Sequence, residues 1–215
     1  MSQIKLPGLM LREKRSFTLP DIRAEGESGI ISGHAAVFDQ KTLIGGMFEE
    51  IIERSAFDRT DFRDVVLTIN HNLQSIPLAR SRNNNANSTL QLNVDDKGLF
   101  VRGNVDIENN SEARALHSSV ARGDLNGMSF IFIIRDHKWE GLDTDMPVRR
   151  ILDIARVIEV SAVSFPAYAG TDINARDEQA LESARTALES ARSELVSSRN
   201  ELEMLRLRSQ ILLKG

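Results

Sequence analysis

The chain has no cysteine in its 215 residues, which removes disulfides, thiolate catalysis and cysteine zinc sites from consideration and is compatible with a reducing compartment. No stretch approaches the roughly 20 consecutive apolar residues of a membrane span. The short apolar patch Leu9-Met10-Leu11 stands among Lys5, Arg12, Glu13, Lys14 and Arg15, so it cannot form the uninterrupted apolar core of a signal peptide. There is no basic excess either: the net charge is -4, and a phosphate-binding surface wants the opposite sign. Neither H-E-x-x-H nor a comparable ligand spacing occurs, so nothing points to a metal.

The chain is long enough for one large domain, or for a domain of about 150 residues with an appendage, and needs no covalent staples. Residues 1–28 are polar and unpatterned, broken by Pro7, Gly8, Pro20 and Gly26, and read as an N-terminal arm. From Ile30 the texture is strand-like through Phe38, followed by a short helix through Glu49-Glu50-Ile51-Ile52 and a strand from Asp64 to Ile69. Thr89 to Val94 alternates, Asp95-Asp96-Lys97-Gly98 turns, and Leu99 to Val105 returns as the second arm of a hairpin. The polar stretch Ser81 to Ser88 reads as a mobile loop. Ser111 to Arg122 reads as a helix, with Asn109, Asn110 or Ser111 as N-cap and Gly123 as C-cap. Two further strands are expected, Met128 to Ile134 and a long one from Arg149 or Arg150 to Phe165, broken near Asp153 and ended by Pro166. Many short strands with one or two helices predict an α+β, mainly β domain, a barrel or sandwich with helices outside, over residues 29–172.

The chemistry concentrates in three strands. Leu125-Asn126-Gly127-Met128-Ser129 places a serine where a turn becomes an apolar strand, His71 ends the apolar strand Val66 to Ile69, and Glu159 sits in Ile158-Glu159-Val160-Ser161. A serine hydroxyl becomes a nucleophile when a neutral imidazole takes its proton and an acceptor holds the far ring nitrogen. The order His, Ser, acid therefore suggests a serine protease. Each residue also has a bland explanation: a strand-start serine satisfied by backbone, a partly buried structural histidine, an exposed strand carboxylate. Of the other histidines, His34 and His117 read as structural, and His137 is the substitute if Glu159 fails. Gly127-Met128-Ser129-Phe130-Ile131 is not a G-x-S-x-G elbow, which argues against an α/β-hydrolase.

Residues 173–215 are different material. Leu181, Leu188, Leu195 and Leu202 recur every seven, with Ala184, Ala191, Ser198 and Leu205 between them, the narrow seam of a coiled-coil or partner-docking helix. A helix of that length exceeds what a compact domain can cover, so it is expected to pack on another chain or stay exposed. Transient self-association, docking on a partner and a solvated spacer all fit the seam.

Six segments occur in one order: Gly33-His34-Ala35-Ala36-Val37-Phe38, Glu50-Ile51-Ile52-Glu53-Arg54-Ser55-Ala56-Phe57, the strand end at His71, Lys97-Gly98-Leu99-Phe100-Val101-Arg102-Gly103, Gly127-Met128-Ser129-Phe130 and Glu159 to Ala167. In this, residues from about 30 to 170 resemble the tailed-bacteriophage prohead maturation proteases, a family similar in fold to herpesvirus assemblins, a β-barrel surrounded by helices. The resemblance implies a serine endopeptidase without cofactor, with Ser129 as nucleophile, His71 as base and Glu159 where the assemblins use a second histidine. It implies as substrates the scaffolding segment of the major capsid protein, internal scaffold and the chain itself, inside the assembling prohead in the host cytoplasm; the charge and the lack of long apolar runs predict no nucleic-acid and no membrane partner. Two departures stand near the site: many relatives have a glycine near Leu78 or Ala79, and often one where this chain has Ile131. A catalytically silent assembly protein is the competing reading.

Overall fold

The computed structural model describes residues 12–17, 21–164 and 178–213. In chain order the strands are β1 (Arg12–Phe17), β2 (Arg23–Glu25), β3 (Ile30–Val37), β4 (Thr42–Ile44), β5 (Phe48–Ile52), β6 (Asp64–Ile69), β7 (Ala79–Arg82), β8 (Leu90–Val94), β9 (Gly98–Asn104), β10 (Gly127–Glu140) and β11 (Val148–Val163). A 3₁₀ turn covers Arg54–Phe57, and the helices are α1 (Ser111–Arg122) and α2 (Glu178–Leu212). The fold is α+β and mainly β. The strands form a seven-stranded and a four-stranded sheet and, among the described residues, do not close into a barrel.

β11 is the axis of the larger sheet. It pairs antiparallel with β10 along one edge, while its other edge is shared: Val148 to Ile151 run parallel to β5, and Glu159 to Ala162 run parallel to β6. The β10–β11 register slips between Ile131 and Phe132, where Ile131 faces Glu159 but Phe132 faces Val157. That bulge leaves Ile158 unopposed and resets the two-residue alternation of side chains. Val157 and Val160 therefore both join the apolar core with Phe130 and Phe132, while Glu159 and Ser161 turn to the opposite face. The break expected near Asp153 is absent: β11 runs through it as one strand, and only the pairing with β10 is irregular there, with register shifts around Asp136. Pro166, expected to end this strand, lies outside the described residues.

The smaller sheet runs β2-β3-β9-β8. The β8–β9 hairpin turns on Asp95, whose Oδ1 accepts from the main-chain N–H groups of Lys97 (2.8 Å) and Gly98 (2.9 Å). A Cβ on Gly98 would collide with the Ala36 carbonyl, so the strand crossing requires glycine. The core between the sheets is continuous, from Ile31, Leu99 and Val101 to Phe130, Val157 and Val160. Ala113, Leu116 and Val120 bury one face of α1 in it. Asn110 caps that helix by accepting from Glu112 and Ala113, and Gly123 ends it at φ 78°, as the N-cap and left-handed C-cap rules require.

Three expectations are corrected. Glu49 to Ile52 belong to strand β5, not to a helix: the segment is short, Ile51 and Ile52 are β-branched and buried, and both edges find partners. The segment read as an arm without regular elements supplies β1, paired with β10, and β2, paired with β3. Its charged residues carry no alternation to announce a strand, since edge pairing is made by the backbone. Ser81 to Ser88 is anchored rather than loose. Ser81 and Arg82 lie in β7, and Asn84, at φ 49°, exchanges hydrogen bonds with the Leu92 main chain at 2.7 and 2.9 Å.

At 1.5 Å per residue the 35 residues of α2 extend about 52 Å. The helix does not need another chain to cover its first part. Ala184 and Leu188 are buried against Ile44 and Phe48, with Met47, Trp139 and Leu142 at the edge. Arg192 donates to the carbonyls of Leu142 and Thr144, and Arg199 pairs with Asp143 at 3.0 Å. Beyond this, Leu202, Leu205 and Ile211 are 58%, 54% and 72% exposed.

Candidate active site

The strand register assembles the site. Ser129 on β10 stands directly opposite Ser161 on β11, and Ser161 opposite Thr68 on β6. Directly opposed residues of neighbouring strands share a face, so three hydroxyls form a row across the sheet. Glu159, two residues before Ser161 in an unbroken stretch of β11, lies on the same face. None of the four is exposed by more than 3%. A polar row inside an otherwise apolar sheet needs internal partners.

The chain leaves β6 through two consecutive residues with positive φ, Asn70 at 48° and His71 at 60°. Asn70 is held by both ends of its side-chain amide: Oδ1 accepts from Ser164 N–H (3.0 Å) and Nδ2 donates to Ser164 Oγ (3.2 Å), while its own N–H donates to Ala162 O (3.0 Å). This left-handed pair stops the strand from continuing and folds His71 back over β11. The main-chain N–H of His71 donates to Ser161 Oγ at 2.9 Å, and its Nδ1 lies 2.8 Å from Glu159 Oε2. Glu159 Oε1 accepts from the Thr68 hydroxyl, which also touches Ser161 Oγ at 3.1 Å. His71 Nε2 is buried and, among the described residues, has no hydrogen-bond partner.

His71 and Glu159 are thus brought into direct contact. Ser129 is brought to the same face in the adjacent strand, next to the serine that holds the His71 main chain. The arrangement supplies an imidazole anchored at one nitrogen by a carboxylate, with its second nitrogen available as a proton acceptor. Glu159 is fully buried, which the exposed-carboxylate reading does not accommodate. His137 lies in the distal half of β10, edge-on to Trp139. His34 is held between Asp21 (2.6 Å) and Asp95 (3.0 Å), and His117 lies on α1. Thr68 and Ser161 were not singled out from sequence. Their signal was a polar residue at every second position of an apolar strand, Glu159 and then Ser161, and a threonine three residues before the histidine.

Both departures from the family pattern flank this site. Ile131 is paired with Glu159 across β10–β11. Leu78 lines a cavity of about 260 Å³ beside the His71 turn, together with Ile69, Asn70, Asn72, Ile76 and Glu112.

A buried histidine–carboxylate pair beside a strand serine can support nucleophilic catalysis by the serine hydroxyl. A family model described as Caudovirus prohead serine protease matches residues 16–185, and the chain belongs to that family. No curated protein and no solved structure matches the chain.

Proposed function

We propose that the chain is the serine endopeptidase of phage capsid maturation, with Ser129 as nucleophile, His71 as general base and Glu159 as the acceptor that orients the imidazole. The observation that carries this reading is the His71–Glu159 contact at 2.8 Å with the other ring nitrogen left unbonded. The Ser129 hydroxyl attacks the scissile carbonyl and passes its proton to His71 Nε2. The imidazolium so formed is stabilised by buried Glu159, and its proton then goes to the leaving amine. Since Nε2 makes no hydrogen bond in this structure, its contact with Ser129 forms when substrate is seated, as apo geometry often tightens in the Michaelis complex. The assemblin-like barrel is the fold this family membership suggests for the domain.

By the family, the substrates are the scaffolding segment of the major capsid protein, internal scaffold and the chain itself, cleaved inside the prohead in the host cytoplasm. The exposed end of α2 suits docking onto a helical scaffold segment, which raises local substrate concentration. The junction Thr171 to Asp177, a self-cleavage candidate, lies outside the described residues. The test is co-expression with the cognate capsid precursor, comparing the parent chain with Ser129→Ala and following the precursor's mass. Loss of a defined terminal segment only with Ser129 intact is expected. Identical processing by both chains, or no processing while both enter the shell, returns the reading to a silent assembly protein.

A further inference from the structure

Glu159 has two carboxylate oxygens and His71 occupies only one. The other accepts from Thr68, and Thr68 in turn touches Ser161, which holds the His71 main chain. The four groups close a ring: His71 ring, Glu159, Thr68, Ser161, His71 main chain. Elementary valence fixes the direction of every bond in it. An ionised carboxylate only accepts, so the Thr68 hydroxyl donates its single hydrogen to Oε1. Thr68 is then an acceptor toward Ser161, and Ser161 donates to it at 3.1 Å. The remaining lone pair of Ser161 receives the His71 N–H at 2.9 Å. Only Oε2 is left for the imidazole, and it accepts only from a protonated Nδ1 at 2.8 Å. In the neutral imidazole the single ring hydrogen is thereby assigned to Nδ1, which leaves the lone pair on Nε2.

We propose that Thr68 and Ser161 are positioning residues for His71: their one-way chain of hydroxyl bonds anchors Oε1 of Glu159 and so holds Oε2 against Nδ1, which keeps the tautomer that makes Nε2 the base. This rests on the peptidase reading above. Thr68 is 3% exposed and Ser161 and Glu159 are fully buried, so water cannot replace one of these three without entering the core. Strand pairing belongs to the same device, because Ser161 stands directly opposite Thr68 and Glu159, two residues before it, shares its face. The groups facing the imidazole are Glu159 from β11 at Nδ1 and the Ser161 hydroxyl at its main chain.

The test compares the parent chain with Thr68→Val, which keeps the branched shape and removes the hydroxyl, Thr68→Ser, which restores it, Ser161→Ala and Ser129→Ala. The probe is an alkyl fluorophosphonate. Labelling forms the Ser129 Oγ–P bond, breaks P–F, releases fluoride and leaves the serine proton on His71 Nε2. Thr68→Val is expected to lower the maximal labelling rate roughly 10- to 100-fold, the equivalent of one lost hydrogen bond to a charged group, with reagent affinity unchanged. Thr68→Ser is expected to recover most of it. Ser161→Ala carries the same direction with a smaller structural change, should Thr68→Val fold poorly. Nitrogen-15 spectra of His71 add a readout independent of labelling: the Nδ1-protonated tautomer dominates in the parent and in Thr68→Ser, and loses that dominance in Thr68→Val. If Ser129→Ala labels like the parent, the peptidase reading itself fails. If Ser129→Ala is silent while Thr68→Val labels at the parent rate, or if the parent and Thr68→Val show the same His71 tautomer, the positioning role is overturned and the peptidase reading stands.

Discussion

His71 Nδ1 and Glu159 Oε2 meet at 2.8 Å across 88 positions of sequence, and the contact exists because β6 lies parallel to the second half of β11. Glu159→Gln tests what the charge contributes. The amide keeps the shape but presents one oxygen and one NH₂ where two acceptors are required, so either Thr68 or His71 Nδ1 faces a donor. By analogy with the loss of about four orders of magnitude when a triad aspartate becomes an amide, precursor cleavage is expected to fall by roughly 10³ to 10⁴. Thermal unfolding, measured on the same samples, should confirm that the protein remains folded. Cleavage within about threefold of the parent would remove Glu159 from the site.

Asn70 carries a different kind of contribution. At φ 48° it occupies the left-handed region, which costs an ordinary L-residue about 1–2 kcal/mol, and its amide is bonded at both ends to Ser164. Asn70→Ala is expected to destabilise the fold by about 1–2 kcal/mol from the backbone conformation alone. Asn70→Gly should recover that part and lose only the Ser164 bonds. Denaturant unfolding of both variants separates the two contributions. Equal stability of Ala and Gly at this position would show that the left-handed turn does not constrain His71.

What could be read in the sequence was whatever is encoded within a few residues. Asn110 and Gly123 bracket α1 by side-chain chemistry and by conformational freedom, and the hairpin turn at Asp95 to Gly98 is likewise local. The candidate triad was legible as three residues, but its geometry was not. It depends on which strands flank β11 and in what register, and on the left-handed turn at Asn70 and His71, none of which periodicity reveals. β5 was misread because Glu49-Glu50 imitates a helical turn, and only parallel pairing with Val148 to Ile151 decides the matter. β1 gave no pattern at all, since its place beside β10 is set by backbone pairing.

The N-terminal segment is also tied by charge, and this tie has a pH dependence. Burial raises the Asp21 pKa, but hydrogen bonds from Lys97 and from the His34 main chain and ring outweigh it and hold the carboxyl below its ordinary value. Asp95 behaves likewise: burial raises it, and bonds from Gly98, His34 and Lys97 lower it further. A carboxyl whose folded pKa is depressed contributes stability that is complete above its unfolded pKa and is lost as pH falls through the folded one. Asp21→Asn is therefore expected to be less stable than the parent near pH 7, and the gap should close below the usual carboxylate range. Urea unfolding at both pH values measures it; a gap that persists unchanged in strong acid would mean that Asp21 acts through shape rather than charge.

The docked and free parts of α2 should be separable by where the helix is cut. Removing all of it would uncover Ile44, Phe48 and Trp139, which now cover or are covered by Ala184 and Leu188, so any loss of function would be ambiguous. Ending the chain after Arg199 keeps the Arg192 bonds to the 141–144 turn and the Arg199–Asp143 pair, and removes the exposed end of the helix, Leu202, Leu205 and Ile211 included. That truncation is expected to cleave a short peptide as the parent does but to enter proheads poorly. Gly45→Ala is the reciprocal variant. At φ 55° its backbone disfavours a side chain, and the new Cβ would collide with Leu181, loosening the docked turn of the helix while leaving its free end intact. Faster amide exchange over residues 181–192 with normal packaging is expected for Gly45→Ala. Normal packaging of the Arg199 truncation would show that the free end of α2 does not recruit the protease to the shell.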